Sequence, residues 1–298
     1  MIEIKNIIFT KNKISALKCF LCFINYILPL RLKFLNETYI ALLDGKKIGQ
    51  ITLDKDSKSS SRFKITKLIL EEYSSLIAKQ LVNYVISKYS AQGAQFFYAV
   101  VDENQPELLN VFKNELNFRL CASEYLYKIK LENTSRALIL SPFKREFLRD
   151  ISNFYNENIN SFNRPFFSRQ NFQFLNGCSK YIFYNHDKNK ILGYFEVATK
   201  NNLDYYINFS IDFEYNIYLM DSIKFIYAKL SQKNKKFNLY IKVKDYFMNS
   251  KELLNILKEN NMEFISKSQI LAKDCYKEIK TDDILKSVKI IFNDPTLA

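Results

Sequence analysis

The chain has 298 residues, 48% hydrophobic and 25% charged, with a formal net charge of +13. That length exceeds what one ordinary core needs and fits two modest domains, and the composition excludes a disordered chain. The positive charge is scattered through Asn-, Ile-, Phe- and Tyr-rich sequence, without the clustering of a nucleic-acid footprint, so nucleic acid stays a less favoured partner.

Five cysteines, Cys19, Cys22, Cys121, Cys178 and Cys275, lack regular spacing. An odd count argues against a disulfide framework and for a reducing compartment, here taken as the cytoplasm. Cys19 and Cys22 form a lone C-x-x-C that reads as two thiols on one buried helical face. No Cys/His cluster has zinc spacing, so no metal is expected. The apolar segment Ile14 to Leu30 is shorter than the ~20 residues of a membrane span, carries Lys18 and ends near Pro29. It predicts a packed helix and no transmembrane span.

From Tyr39 the pattern is regular. YIALL and IGQITL read as strands joined at Asp44-Gly45, a hairpin turn pair. FKITKLIL follows as a third strand, and Leu76, Ile77, Leu81, Val82, Val85 and Ile86 recur with helical spacing over Ser75 to Tyr89. FFYAVV is a short buried strand, Pro106 starts the helix PELLNVFKNEL, and LCASEYLYKI closes the block near Lys130. The polar stretch ENTSR marks a junction between Leu131 and Ser141.

After the helix FKREFLRDISNFYNENI the order returns. KYIFYN and ILGYFEVAT form a hairpin around His186-Asp187, YYINFSIDF is a third strand, and IYLMDSIKFIYAKL is a helix. FNLYIKV, KELLNILKEN and FISKSQILA complete the second block. ELLNVFKNELNF from Glu107 and ELLNILKENNMEF from Glu252 match at the same point of each block, which argues for duplication. The expected organisation is an N-terminal domain over 1–131, a C-terminal domain over 141–280 and a tail over 281–298.

Strand, strand, strand, crossover helix, strand, helix, strand is the order of the GNAT acyltransferase superfamily. LIAKQLVNYVISKY resembles that family's cofactor-helix opening, Gly-Ile-Gly-x-x-Leu-Leu, with Leu76, Ile77, Ala78, Leu81 and Val82 in those places. NQPELLNVFKNELNF is similar to its Asn-led last helix, with Asn104 or Gln105 in the Asn place. The resemblance implies an α/β (α+β) fold of two tandem GNAT-like domains, each a mixed twisted sheet with flanking helices. It also implies acetyl-CoA or another acyl-CoA as co-substrate and an amine acceptor, a small molecule or a protein. The pantetheine arm would lie between diverging strands FKITKLIL and FFYAVV. Leu68, Ile69, Leu70, Tyr73, Ser74, Ser75, Leu76, Ile77, Ala78, Lys79 and Asn104 would border the cofactor.

The sequence departs from that pattern. The turn Tyr73-Ser74-Ser75-Leu76 has no glycine, and Leu76 is expected to crowd the phosphate approach. Glu71 and Glu72 read either as a general base or as acidic residues at a helix start. The family's proton-donating tyrosine falls on Phe112 and Leu257, so the acid would be Tyr98, Tyr125 or water. In the second block, Phe213 to Leu219 replaces the cradle, and that copy is expected to serve as a substrate or partner wall. The leading reading is an N-acyltransferase, the alternative a silent GNAT-fold binding protein.

Overall fold

The computed structural model describes residues 3–6, 37–55, 61–71, 74–131, 140–167, 179–185, 187, 189–199, 201, 203–234 and 236–275. The expected helix over 14–30, the Cys19–Cys22 pair, most of the junction, Glu72, Tyr73, His186 and the tail over 281–298 lie outside these residues.

Strands β1 (Glu3–Asn6), β2 (Glu37–Leu43) and β3 (Lys46–Lys55) come first, and Asp44 and Gly45 take φ of 51° and 79° in the β2–β3 turn. Two successive positive φ values suit the twist of a hairpin, which is why an Asp-Gly pair occurs here. After β4 (Arg62–Leu70), helix α1 (Ser75–Ser90) buries Ala78, Leu81, Val82, Val85, Ile86 and Tyr89 on the sheet. Each fully buried Leu or Val contributes about 1.5–3 kcal/mol, so this stripe holds the crossover in place. Gly49 of β3 permits the close approach: a Cβ there would meet Leu81, Ile77 and Leu70 side chains at 3.0–3.2 Å.

Next come β5 (Phe96–Asp102), helix α2 (Pro106–Asn110, continuing as a π turn over Val111–Glu115) and β6 (Arg119–Lys128). The C-terminal half runs β7 (Ser141–Pro142), α3 (Leu148–Asn158), α4 (Arg164–Phe167), β8 (Ser179–Asn185), β9 (Lys190–Thr199) and β10 (Asp204–Ile211). It finishes with α5 (Leu219–Ser231), β11 (Asn238–Lys244), α6 (Ser250–Glu259) and β12 (Glu263–Asp274).

The two halves match residue by residue where their backbones are pinned. The Phe96 amide donates to Ser61 O and the Asn238 amide to Leu203 O, while Glu71 N donates to Ile48 O and Asp212 N to Leu192 O. Phe118 N donates to Phe112 O, and Met262 N to Leu257 O. Asn117 and Asn261, just before those donors, take φ of 57° and 54°. The first half therefore has one residue more between the paired positions, and its π turn absorbs it.

The twelve strands among the described residues form one sheet, in the order β1-β2-β3-β4-β5-β12-β6-β11-β10-β9-β8-β7. This corrects the expectation that LCASEYLYKI closes its own block. The last strand of each half is exchanged: β12 lies against β5, and β6 lies against β11. The exchange is fixed by side chains as well as by the ladder. Leu271 enters the N-terminal core with Val85 and Phe97, while Tyr127 and Ile129 enter the C-terminal core with Ile241 and Leu257. Lys273 Nζ donates to Leu116 O at 2.7 Å, and Arg119 pairs with Asp274. A third core, on the other sheet face, gathers Ile151, Phe154 and Tyr155 of α3 with Ala122, Ile182 and Ile270.

Candidate active site

The parallel pair β4–β5 is matched only at Arg62↔Phe96, Phe63↔Phe97, Lys64↔Tyr98 and Ile65↔Ala99. Beyond Ile65 β4 runs on to Leu70, and beyond Ala99 β5 runs on to Asp102. The strands part there. The cause is visible on the other edge of β4, where the register with β3 shifts between Thr52↔Lys67 and Leu53↔Ile65 and leaves Thr66 unmatched. A bulge of this kind adds a residue to one strand, bends it and ends local pairing.

The bulge also changes which backbone groups face the gap. Glu71 N donates to Ile48 O, so by alternation Ile69 and Lys67 bond toward β3. The amides and carbonyls of Leu68 and Leu70 then point to the β5 side, into the slot. On the far wall, Glu103 N donates to Lys267 O of β12, which turns the Asp102 amide toward β4.

Helix α1 starts at the open end of the slot. Ser74 is its N-cap: its Oγ accepts from Ile77 N at 3.4 Å, and its carbonyl accepts from Ala78 N at 3.0 Å. Helix geometry leaves the Ser75 and Leu76 amides without an intrahelical acceptor. Leu76, in the first turn, is 58% exposed. Ile77 and Ala78 pack inward instead, Ile77 beside the N-terminal core and Ala78 within it, and Lys79 is half-buried on the helix.

The remaining predicted residues divide. Leu68 and Leu70 side chains pack against the N-terminal core, whereas Ile69 is on the opposite face. Glu71 is exposed where β4 ends. Asn104 follows β5, and its amide donates to Asp102 Oδ1 at 2.9 Å. Tyr98 lies at the closed base of the slot with Lys64 Nζ 6.0 Å from its ring centre. Tyr125 is on β6 and on the other face, under Lys267 Nζ at 5.9 Å. The two candidate acids are thus not brought together. Phe112 is buried edge-on against Phe118 with ring centres 5.0 Å apart, a packing role that explains the missing tyrosine.

In the C-terminal half the parallel pair β10–β11 also ends before its strands do, but without a bulge. Ile65 corresponds to Ile207 and Leu70 to Ile211, so β10 lacks the extra residue, and its register with β9 runs unshifted through Ile211↔Gly193. Pairing of β10 with β11 continues to Asn208↔Lys242. Past that point the buried Asn249 Nδ2 donates to Ile211 O at 2.8 Å and to Asn216 Oδ1 at 2.7 Å. Asp212 caps the following 3-10 turn through Glu214 N and pairs with Lys190 at 2.9 Å. A carboxylate at that helix start repels a phosphate.

No family model matches the sequence, and no curated protein matches it. Solved structures do. A GCN5-related N-acetyltransferase from Sphaerobacter thermophilus superposes with a TM-score of 0.56 at 9% identity, covering 80% of each chain. The chain has the GNAT fold. A tandem GNAT protein from the clavulanic acid biosynthesis pathway gives a TM-score of 0.53 at 8% identity, over 82% of this chain and 84% of that one. A candidate acetyltransferase from Pyrococcus horikoshii gives 0.54 at 10%, over 94% and 92%.

Within this GNAT fold, the Thr66 bulge and Asn249 were not singled out from the sequence. Setting FKITKLIL against YYINFSI would have located the extra residue, since the two strands occupy the same place in the repeat. Among the described residues no helix is long and apolar enough to cross a membrane, and no cluster of three or more His, Cys, Asp or Glu is placed to hold a metal.

Proposed function

We propose that the protein is an acyl-CoA-dependent N-acyltransferase whose N-terminal half holds the co-substrate. One observation carries this reading: β4 parts from β5 at a bulge that the C-terminal half lacks, beside a helix start with two outward amides. The fit is favourable. The slot edge offers Leu68 and Leu70 backbone groups to an amide-rich arm, and Ser74, Ser75 and Leu76 offer small or outward-turned side chains around anion-binding amides.

An acyl thioester supplies an electrophilic carbonyl and a thiol leaving group. The chain's part is to orient that carbonyl toward the Asp102 amide, where a fixed N–H favours developing negative charge. A neutral acceptor amine is delivered with the help of a base; Glu71, exposed where β4 ends, and Glu72, next to it in sequence, are the candidates, directly or through water. Tyr98, at the slot base, is the better of the two candidate acids because Tyr125 is on the opposite face. The exchanged strands make the two domains one working unit, with the C-terminal half forming the acceptor wall.

Calorimetric titration with acetyl-CoA, followed by thiol-release assays on an amine panel, tests the reading. One-to-one binding with release of CoA is expected. Binding without release in any amine favours a silent binding protein, and no binding removes both.

A further inference from the structure

Beyond Ala99 the end of β5 is laddered on one edge only. Val100, Val101 and Asp102 pair with Ile270, Gln269 and Ser268 of β12, while β4 has already left the ladder. Asp102 is the residue whose amide is turned toward the slot, and the turn into α2 takes up its other polar groups. Its carbonyl accepts the Gln105 amide at 3.0 Å, and its Oδ1 accepts the Asn104 amide at 2.9 Å. The next residue is where the strand is fastened.

Glu103 makes three bonds to β12. Its amide donates to Lys267 O at 2.9 Å, and its Oε1 accepts from Lys267 Nζ at 2.7 Å and from Gln269 Nε2 at 2.8 Å. Lys267 and Gln269 are two residues apart in a strand, so both side chains stand on one face. The bond from Lys267, then that from Gln269, holds the Glu103 carboxyl below its ordinary range, and the bond to Glu103 raises the Lys267 ammonium. A hydrogen bond between charged partners is stronger than one between neutral groups. Lys267 Nζ also lies 5.9 Å from the centre of the Tyr125 ring.

The C-terminal half is built differently at the matching point. Asp245 N donates to Ser123 O as Glu103 N does to Lys267 O, so serine stands where the N-terminal half draws on lysine. The Asp245 carboxylate accepts the neutral Ser123 amide at 2.7 Å. The ionic tether thus occurs in the half that also has the Thr66 bulge.

Resting on the acyl-transfer reading, we infer that Lys267 and Gln269 are positioning residues of the N-terminal slot, which fix the Asp102 amide through Glu103. Their hold on Glu103 keeps the unpaired end of β5 at one distance from β4. An amide that favours charge appearing only in the transition state acts on kcat. A displacement of about 1 Å is enough to cost roughly 100-fold.

Lys267→Met, Gln269→Leu and the conservative Lys267→Arg test it, read by thiol release from acetyl-CoA, by denaturation midpoint and by amide hydrogen exchange. In the first two, kcat should fall at least about tenfold, and the Glu103 amide should exchange faster. The KM for acetyl-CoA and the midpoint should not move, since a partly exposed ion pair contributes little to stability. Lys267→Arg should keep kcat and exchange near the wild type. Unchanged kcat and exchange overturn the inference. A kcat loss that comes with a lowered midpoint marks a merely structural role and overturns it too. Absence of turnover in the wild type removes the transferase reading instead, and Glu103 exchange then decides the tether alone. Faster exchange in Lys267→Met upholds the tether, and equal exchange overturns it.

Discussion

Leu271 of the last strand is fully buried opposite Ala99 of β5, inside the core of the N-terminal half. Ala99 is also the last residue of β5 that pairs with β4. One edge of β5 is thus held by the far end of the chain just where its other edge is released. The slot keeps one firm wall because of that exchange.

Replacing Leu271 with Ala should cost about 2–5 kcal/mol, the range for emptying a packed Leu site. Both halves should unfold together, since β12 is shared. Urea unfolding followed by fluorescence and by far-UV circular dichroism checks this. Two separated transitions, with only the C-terminal one moved, would contradict it.

Deleting Thr66 should bring β4 into the phase of β10 and let it pair further along β5. The expected outcome is a folded protein with acetyl-CoA affinity lowered at least about tenfold. Circular dichroism and calorimetry on the same sample separate slot closure from misfolding.

Ser74→Ala removes the side chain that caps Ile77 N and should lower stability by about 1 kcal/mol. Leu76→Ala, at a solvent-facing position, should change it by no more than about 0.5 kcal/mol. Denaturation midpoints compare the two directly.

Asn249→Ala strands the Ile211 carbonyl and the Asn216 side chain in a buried site, a loss of about 1–3 kcal/mol. Acetyl-CoA affinity should not change, because the N-terminal slot is elsewhere. A weakened Kd at unchanged fold would point to a site in the C-terminal half.

Burial raises the Asp245 carboxyl above the usual carboxylate range, against the Ser123 amide that donates to it at 2.7 Å. The folded protein then holds this proton more tightly than the unfolded chain, so the contribution falls as pH rises from about 4 through the folded pKa. Asp245→Asn should flatten that decline in urea midpoints measured across the window. An unchanged slope assigns the pH dependence elsewhere.

Much of the scaffold was legible in the sequence. Asp44-Gly45 announced its hairpin, the apolar spacing from Leu76 to Ile86 announced α1, and the matched Glu107 and Glu252 segments announced the repeat. The helix start capped by Ser74 and the parting of β4 from β5 lie where the resemblance put the cofactor turn and the diverging strands. That Leu76 faces solvent was not legible, because spacing gives a helical position, and the direction of a first-turn side chain depends on how the helix meets the sheet.

What the sequence determined alone is the alternation and spacing that set which residues form strands and helices and which side of each is apolar. Which strand neighbours which was decided only in three dimensions. The period-2 patterns of β6 and β12 do not name a partner, since a ladder is made of backbone groups that every residue carries, and the side-chain contacts that fix the exchange form only once the cores are assembled. The same limit hid the slot: Thr66 is one extra residue, and only the strands beside it turn that extra residue into a gap.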